Sequence, residues 1–340
     1  MNRNEQYYRH IMGSIGATML FFLLFINTFG VLLGLVDAFG FFLIGQNVAV
    51  GETVYQLVYA AGYMLCFMLP VLIFKKLITR KQCPYYSMQA PFRATPWLLL
   101  IAPALIALAF SASYVNSYFV DLFLFSAPIT DFVENMEGYQ TFEIVLQFIV
   151  IAIVPGFCEE FLFRGAILSN LLPFGRSNAI FISALMFALM HQNPAQIFYT
   201  FVAGILLGIV YERTGSIWNT TILHILNNLV SLIQTVIYAN NTSGVRATLL
   251  NALLECGIYA VGTVAAVVLV IRFFSDRHDF KDGFFGVPST DVNRAPACYV
   301  EHRRAVKLFF TPTTVIFIVL VALSVFGIQF LLAVGYAFAG

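Results

Sequence analysis

The chain has 340 residues, of which 60% are apolar and only 10% are charged, and its formal net charge is +1. Soluble domains carry about 25% charged residues, so this composition excludes a soluble globular fold. A net charge so close to zero provides no field to attract nucleic acid, and we expect no nucleic-acid partner.

Long apolar runs between small clusters of charge predict membrane-spanning helices. Crossing the hydrocarbon layer takes about 20 apolar residues, and these runs are too continuous for the alternating strands of a membrane barrel. The sequence therefore predicts an all-α polytopic transmembrane bundle. The nine expected spans are 11–36, 54–74, 97–115, 142–172, 177–192, 195–211, 217–239, 249–271 and 313–335. The first span is too long for a signal-peptide core, so we expect a retained anchor.

The distribution of Lys and Arg predicts the orientation of these spans. With the N-terminus inside, every Lys and Arg except Arg246 falls in an inner segment or, for Arg164, in the inner half of a span, as the positive-inside rule requires. The C-terminus is then outside. We divide the chain into N-terminal helices (1–141), a core that carries the polar motifs (142–239), and C-terminal helices (240–340) that include a long inner segment, 272–312.

Three groups of polar residues interrupt the apolar pattern of the core. In chain order they are Cys158-Glu159-Glu160-Phe161-Leu162-Phe163-Arg164, Phe187-Ala188-Leu189-Met190-His191 and His224-Ile225-Leu226-Asn227-Asn228. An ionisable side chain at membrane depth costs at least about 2.5 kcal/mol, so such residues indicate function by default.

Helical spacing separates the roles of the two adjacent glutamates. Glu160 and Arg164 lie four residues apart on one helical face, where they are expected to form a structural ion pair. Glu159 points about 100° away from Glu160 and has no basic partner on its own helix. We therefore predict that Glu159 faces another helix and is free for chemistry.

The first and second groups meet only if the fourth span is long. The segment after Arg164 contains no charge up to Leu172, and Pro173 is the first strong helix breaker. If the helix continues to Leu172, Glu159 lies about 20 Å from the inner surface, which is also the expected depth of His191.

The third group is predicted to lie nearer the inner surface. His224 and Asn228 are four residues apart and share a face, whereas Asn227 is expected to look elsewhere. The rise of a straight helix places His224 about 10 Å shallower than Glu159. All these side chains still fit one pocket that opens toward the inner side.

The three patterns Glu-Glu-x-x-x-Arg, Phe-x-x-x-His and His-x-x-x-Asn, in this order, resemble the CAAX-protease and bacteriocin-processing family (CPBP, or Abi) of intramembrane glutamic endopeptidases. The resemblance covers about 142–239 and no motif matches in the flanking spans. A single motif of this kind is weak, but three ordered matches on separate helices are specific.

The resemblance implies a role for each matching residue. Glu159 corresponds to the catalytic glutamate and His191 to its partner on the attacking water, while His224 and Asn228 correspond to the pair that stabilises the oxyanion. Glu160 and Arg164 match supporting positions. The family name implies that the substrate is a prenylated C-terminal CAAX peptide, cut on the inner side of the membrane. The resemblance also implies a mechanism without a cofactor. For bacterial members, another membrane peptide or a bacteriocin leader is the alternative substrate.

The residue types suit this chemistry on physical grounds. Peptide hydrolysis needs a general base for water, and a positioned carboxylate can act as one. It also needs preorganised donors where negative charge develops on the carbonyl oxygen. A histidine and an asparagine on one helix face can both donate.

Other interpretations fit parts of the same pattern. A zinc protease could use Glu159, His191 and His224 as ligands, although no H-E-x-x-H motif is present. Cys158 is a poor candidate nucleophile because the charge of Glu159 disfavours its thiolate. A non-catalytic membrane scaffold or immunity protein could use the pocket to bind a partner. A transporter is also possible, but no inverted repeat is visible. Each motif taken alone is more often structural.

The orientation is testable at the two ends of the chain. We expect an inside N-terminus and an outside C-terminus because of the Lys and Arg bias. Single cysteines placed at each end of a cysteine-free variant should react with a membrane-impermeant thiol reagent from opposite sides of sealed vesicles. Reaction of both ends from one side would contradict the nine-span topology.

Overall fold

A computed structural model describes the backbone of residues 1–43, 48–79, 97–123, 141–239, 244–275, 300 and 302–339. Within these ranges the chain is helical and contains no strand. The helices are α1 (Arg3–Leu43), α2 (Val48–Thr79), α3 (Leu98–Phe123), α4 (Thr141–Gln147), π1 (Phe148–Ile153), α5 (Val154–Glu160), π2 (Phe161–Leu168), α6 (Ser169–Leu171), α7 (Arg176–Met190), α8 (Pro194–Thr214), α9 (Ile217–Ala239), α10 (Gly244–Ser275), α11 (His302–Phe309) and α12 (Pro312–Ala339).

The predicted all-α membrane bundle is confirmed, with a difference in the number of spans. Seven helical stretches in the described part of the chain are long and apolar enough to cross a membrane. The other two predicted spans correspond to shorter apolar stretches, Arg176–Met190 and Pro312–Val325. A helix the length of α7 reaches about 22 Å, which is less than the thickness of the hydrocarbon layer. Most of the predicted inner segment 272–312 lies outside the described residues.

The fourth predicted span is a continuous helical stretch that runs from α4 through α6. It ends in a 3₁₀ turn, Leu172–Phe174, after which Gly175 adopts φ of +135°. Pro173 cannot donate a backbone hydrogen bond, and the positive φ of Gly175 favours glycine. The prediction that this helix passes Arg164 and continues to Leu172 is confirmed.

Two π-helical segments flank α5, the short helix that ends with Glu159 and Glu160. In π2 the Ser169 N–H donates to the carbonyl of Arg164, five residues earlier. Such segments are rare, and they occur often at functional sites. They change the angular register of the helix on both sides of α5, so a regular 100° wheel does not describe the whole span.

The helices that carry the polar motifs converge because small residues let their backbones approach. A β-carbon at Gly156 of α5 would lie 2.7 Å from Ile225 Cγ1 of α9, so only glycine allows this contact. A β-carbon at Gly204 of α8 would lie 3.1 Å from the Cα of Ala184 in α7. Close packing of this kind is common between membrane helices.

A buried asparagine on α3 fixes the beginning of α8. Asn116 donates to the carbonyl of Pro194 at 3.0 Å and accepts from the backbone N–H of Phe198, also at 3.0 Å. At the same end, the side chain of Asn193 caps α8 by accepting from the N–H of Ala195. These bonds hold the first turns of α8 in the place where the helix faces the candidate site.

Candidate active site

One cavity of about 380 Å³ lies among α2, α5, α8 and α9. Its wall contains all four side chains that the sequence predicts to act on a substrate: Glu159, His191, His224 and Asn228. The two predicted supporting residues, Glu160 and Arg164, do not line it. We call this space the Glu159 cavity.

Glu160 and Arg164 form a fully buried ion pair. Arg164 Nη1 lies 2.7 Å from Glu160 Oε1, and both side chains have 0% exposed surface. Arg164 Nη2 donates to the carbonyl of Gly204 at 3.2 Å, and the guanidinium lies 4.6 Å from the centre of the Phe187 ring. The pair predicted from the four-residue spacing is therefore present, and it links π2 to α7 and α8.

The carboxylate of Glu159 faces other helices, as its position on the helix predicts. It is 4% exposed. Its Oε1 accepts a hydrogen bond of 2.5 Å from the hydroxyl of Tyr63 on α2. Its Oε2 lies 3.7 Å from Nε2 of His224 on α9, beyond hydrogen-bond reach. The two oxygens of one carboxylate therefore have different surroundings.

His224 lies between the two glutamates. Its Nδ1 is 2.9 Å from Glu160 Oε1, and its Nε2 is the atom near Glu159. Because Glu160 is paired with a guanidinium, its oxygen accepts and Nδ1 of His224 carries the proton. Donation from Nε2 as well requires a second proton on the ring, and the resulting imidazolium would lie between two carboxylates.

The predicted depth of His224 is wrong. The straight-helix rise places the backbone near His224 about 10 Å shallower than the backbone near Glu159, whereas a β-carbon on Gly156 of α5 would lie 3.5 Å from the Cα of Ile225 in α9. The depth was obtained from straight helices parallel to the membrane normal. In the structure α5 and α9 touch at Gly156, and π segments interrupt the span that carries Glu159. A depth difference of about 10 Å would also have placed Glu159 and His224 too far apart to bind one metal ion, and the structure removes that obstacle for these two residues.

His191 enters the cavity from the turn after α7. Its Nδ1 lies 2.9 Å from the carbonyl of Phe187, which can only accept, so Nδ1 donates and Nε2 keeps a lone pair in the neutral ring. The next residue, Gln192, has a positive φ of 51°, an uncommon conformation for a residue with a side chain. This turn leads into α8 and fixes the position from which His191 points.

Asn228 lies on the α9 side of the cavity. Its Nδ2 donates to the carbonyl of Ile151 in π1 at 3.3 Å, and the amide has a second hydrogen on the same nitrogen. Asn227 also lines the cavity, so the prediction that it looks elsewhere is wrong. The cavity covers a wide arc of α9, and therefore adjacent residues of that helix both reach it.

Sequence reasoning missed the contribution of α2. Tyr55, Tyr59 and Tyr63 line the cavity. Their four-residue spacing places them on one face of the helix, and this spacing is the sequence signal from which a role for α2 in the site could have been predicted. Cys158, the rejected nucleophile, packs in the hydrophobic core and does not line the cavity.

The side chains of the described residues bear on the zinc alternative. Among them, no group of three or more His, Cys, Asp and Glu side chains is placed to hold a metal ion. The sequence-based zinc alternative needs three ligands of this kind around one point. Of the three proposed zinc ligands, Glu159 and His224 lie close together, with 3.7 Å between Oε2 and Nε2.

The buried ion pair generates a stability prediction. Arg164→Ala should lower folded yield, because stranding one partner of a buried pair costs about 3–5 kcal/mol. The double variant Glu160→Gln with Arg164→Gln should recover part of that yield without recovering function, because His224 also loses its partner. Thermal unfolding in detergent measures the effect.

The control is Arg213→Ala. Arg213 pairs with Glu212 at 3.2 Å but is 36% exposed, and exposed pairs contribute only about 0–1 kcal/mol. An Arg164→Ala protein that is as stable as the Arg213→Ala protein but inactive would show that the pair is not structural and that Arg164 belongs to the chemistry.

The comparisons with known proteins concern the same part of the chain. Residues 141–230 match a family model described as type II CAAX prenyl endopeptidase Rce1-like. No curated protein and no solved structure gives a significant match. The matched segment runs from α4 into α9 and includes all three motifs. The resemblance predicted from those motifs is therefore confirmed, and the segment that builds most of the Glu159 cavity is similar to the Rce1-like CAAX prenyl endopeptidases.

Proposed function

We propose that this protein is an intramembrane endopeptidase that hydrolyses a peptide bond of a membrane-associated, CAAX-type prenylated substrate. The observation that carries the proposal is the convergence of side chains from three separate motifs on one buried cavity. These side chains are Glu159, His191, His224 and Asn228. They combine a base with hydrogen-bond donors, and hydrolysis requires both.

Glu159 is the general base in this proposal. Its Oε1 is already engaged by Tyr63, so Oε2 is the oxygen that takes a proton from water. Nε2 of His191 accepts a hydrogen bond from the other O–H of that water. This bond directs a lone pair of the water oxygen toward the scissile carbonyl. Positioning of this kind removes much of the entropic barrier to attack.

The developing oxyanion is bound from α9. The second amide hydrogen of Asn228 donates to it, and a protonated Nε2 of His224 supplies the other donor. Donors fixed in a dry site stabilise the transition state without reorganising. When the tetrahedral intermediate collapses, Glu159 returns its proton to the leaving nitrogen and the C–N bond breaks.

The Glu160–Arg164 pair supports this chemistry without contacting substrate. Arg164 compensates the charge of Glu160, and Glu160 in turn fixes the proton on Nδ1 of His224. The site therefore contains one carboxylate that is not ion-paired to a guanidinium, and that carboxylate is Glu159. The proposed core 142–239 is incomplete by itself, since Tyr63 lies outside it.

The proposed surroundings of the enzyme follow from its orientation. It is a multi-pass protein in contact with membrane lipid, and we propose that it resides in the cell membrane with its cavity open to the cytoplasmic side. There it would meet a lipidated protein or peptide held at the same surface. No cofactor is part of the proposal.

Glu159→Gln is the sharpest test of the enzyme. The variant keeps the shape and hydrogen bonds of the side chain but removes the base, so cleavage of a farnesylated CAAX peptide by purified protein should fall at least about 100-fold. The matched control is Glu255→Gln. Glu255 is a second carboxylate within a membrane-spanning helix that accepts a 2.5 Å bond from a tyrosine, Tyr114, but it lies outside the cavity.

The same two variants separate an enzyme from a scaffold. Full activity of Glu159→Gln in cells, together with no cleavage by wild-type protein in vitro, would favour the non-catalytic immunity or scaffold interpretation. Loss of activity in Glu255→Gln as well would point to general damage of the bundle.

A zinc mechanism remains the second candidate because a carboxylate and an imidazole lie 3.7 Å apart in the cavity. We expect the purified protein to contain no stoichiometric metal and to keep its peptidase activity after prolonged chelation. One zinc per chain in elemental analysis, lost and restored together with activity, would instead make ligands of Glu159, His191 and His224.

A further inference from the structure

We propose that Tyr63 is a positioning residue of the active site: its hydroxyl holds Oε1 of Glu159 and thereby directs Oε2 toward the water. This inference rests on the proposed function and adds a residue from α2, outside the segment that matches the family. The contact that carries it is the 2.5 Å hydrogen bond from the Tyr63 hydroxyl.

The tyrosine ring is fixed by its neighbours on α2. It lies 5.8 Å from the ring of Tyr59 and 4.8 Å from the ring of Phe67. Phe67 is 1% exposed and packs at 4.8 Å against Phe22 of α1. Aromatic pairs at these separations are favourable. The hydroxyl is therefore presented to Glu159 from a rigid platform and not from a mobile side chain.

A carboxylate needs such a partner because its terminal torsion is soft. Rotation about the last bond of a glutamate is broad, and the two oxygens exchange places unless something distinguishes them. Here Tyr63 engages Oε1, whereas Oε2 is buried without a hydrogen-bond partner among the described residues. Nε2 of His224 lies 3.7 Å from Oε2. The tyrosine thus selects the oxygen that does chemistry.

A purely structural role for Tyr63 makes a different prediction. If the hydrogen bond served only to join α2 to α5, its loss would lower stability and leave the turnover of folded enzyme unchanged. A positioning role lowers kcat of the folded enzyme and leaves KM nearly unchanged, because the substrate is bound by other groups.

Tyr63→Phe removes only the hydroxyl and keeps the aromatic packing. We expect kcat on a farnesylated CAAX peptide to fall about 10- to 100-fold, the effect of losing a hydrogen bond to a charged group, with KM changed less than about twofold. Tyr114→Phe is the matched control, since it removes the equally short bond to Glu255 away from the cavity.

A spectroscopic readout keeps the test independent of catalysis. In protein labelled with ¹³C at glutamate carboxyls, Tyr63→Phe should shift a carboxylate infrared band, and the shift should disappear in the Glu159→Gln background. If wild-type protein cleaves nothing but the band shifts, the proposed function fails while the contact stands. A fully active Tyr63→Phe enzyme, a rise in KM with unchanged kcat, or an unshifted band would overturn the positioning role.

Discussion

The cost of burying the charge of Arg164 organises this site. Its guanidinium is fully enclosed by an apolar bundle, where an uncompensated charge is not tolerated. Compensation comes from Glu160 on the same helix, a backbone carbonyl of α8 and the ring of Phe187 on α7. Glu160 also engages His224 of α9. One buried cation thus ties π2 to α5, α7, α8 and α9, and the proposed base, Glu159, lies outside that network.

The network gives two adjacent glutamates opposite roles. Glu160 faces away from the cavity, and its carboxylate contacts Arg164 and His224. Glu159 faces the cavity, and its carboxylate accepts a hydrogen bond from the neutral hydroxyl of Tyr63. His224 lies 2.9 Å from Glu160 and 3.7 Å from Glu159, and so it connects the buried ion pair to the proposed base. The separation follows from the step of about 100° between adjacent residues of α5, which contains both glutamates.

Helical periodicity predicted the features that depend on a single helix. The spans, the extension of the fourth helix to Leu172, the pairing of Glu160 with Arg164 and the outward direction of Glu159 all follow from local spacing and composition. The depth of His224 does not follow from local spacing, because it depends on the tilt of the helices and on the close contact between α5 and α9 at Gly156. Tyr63 was missed for a related reason: its partner is 96 residues away in the chain, and only tertiary packing brings them together.

The proposed mechanism requires Glu159 to be the reactive carboxyl while Glu160 is held in an ion pair with Arg164. A hydrophobic carbodiimide, which modifies carboxyl groups in apolar surroundings, tests this directly when peptide mass spectrometry locates the adduct. We expect modification of Glu159, no modification of Glu160, and loss of cleavage in proportion to the fraction of Glu159 modified. Modification of Glu160 in preference to Glu159, or full cleavage by protein that is completely modified at Glu159, would contradict the account.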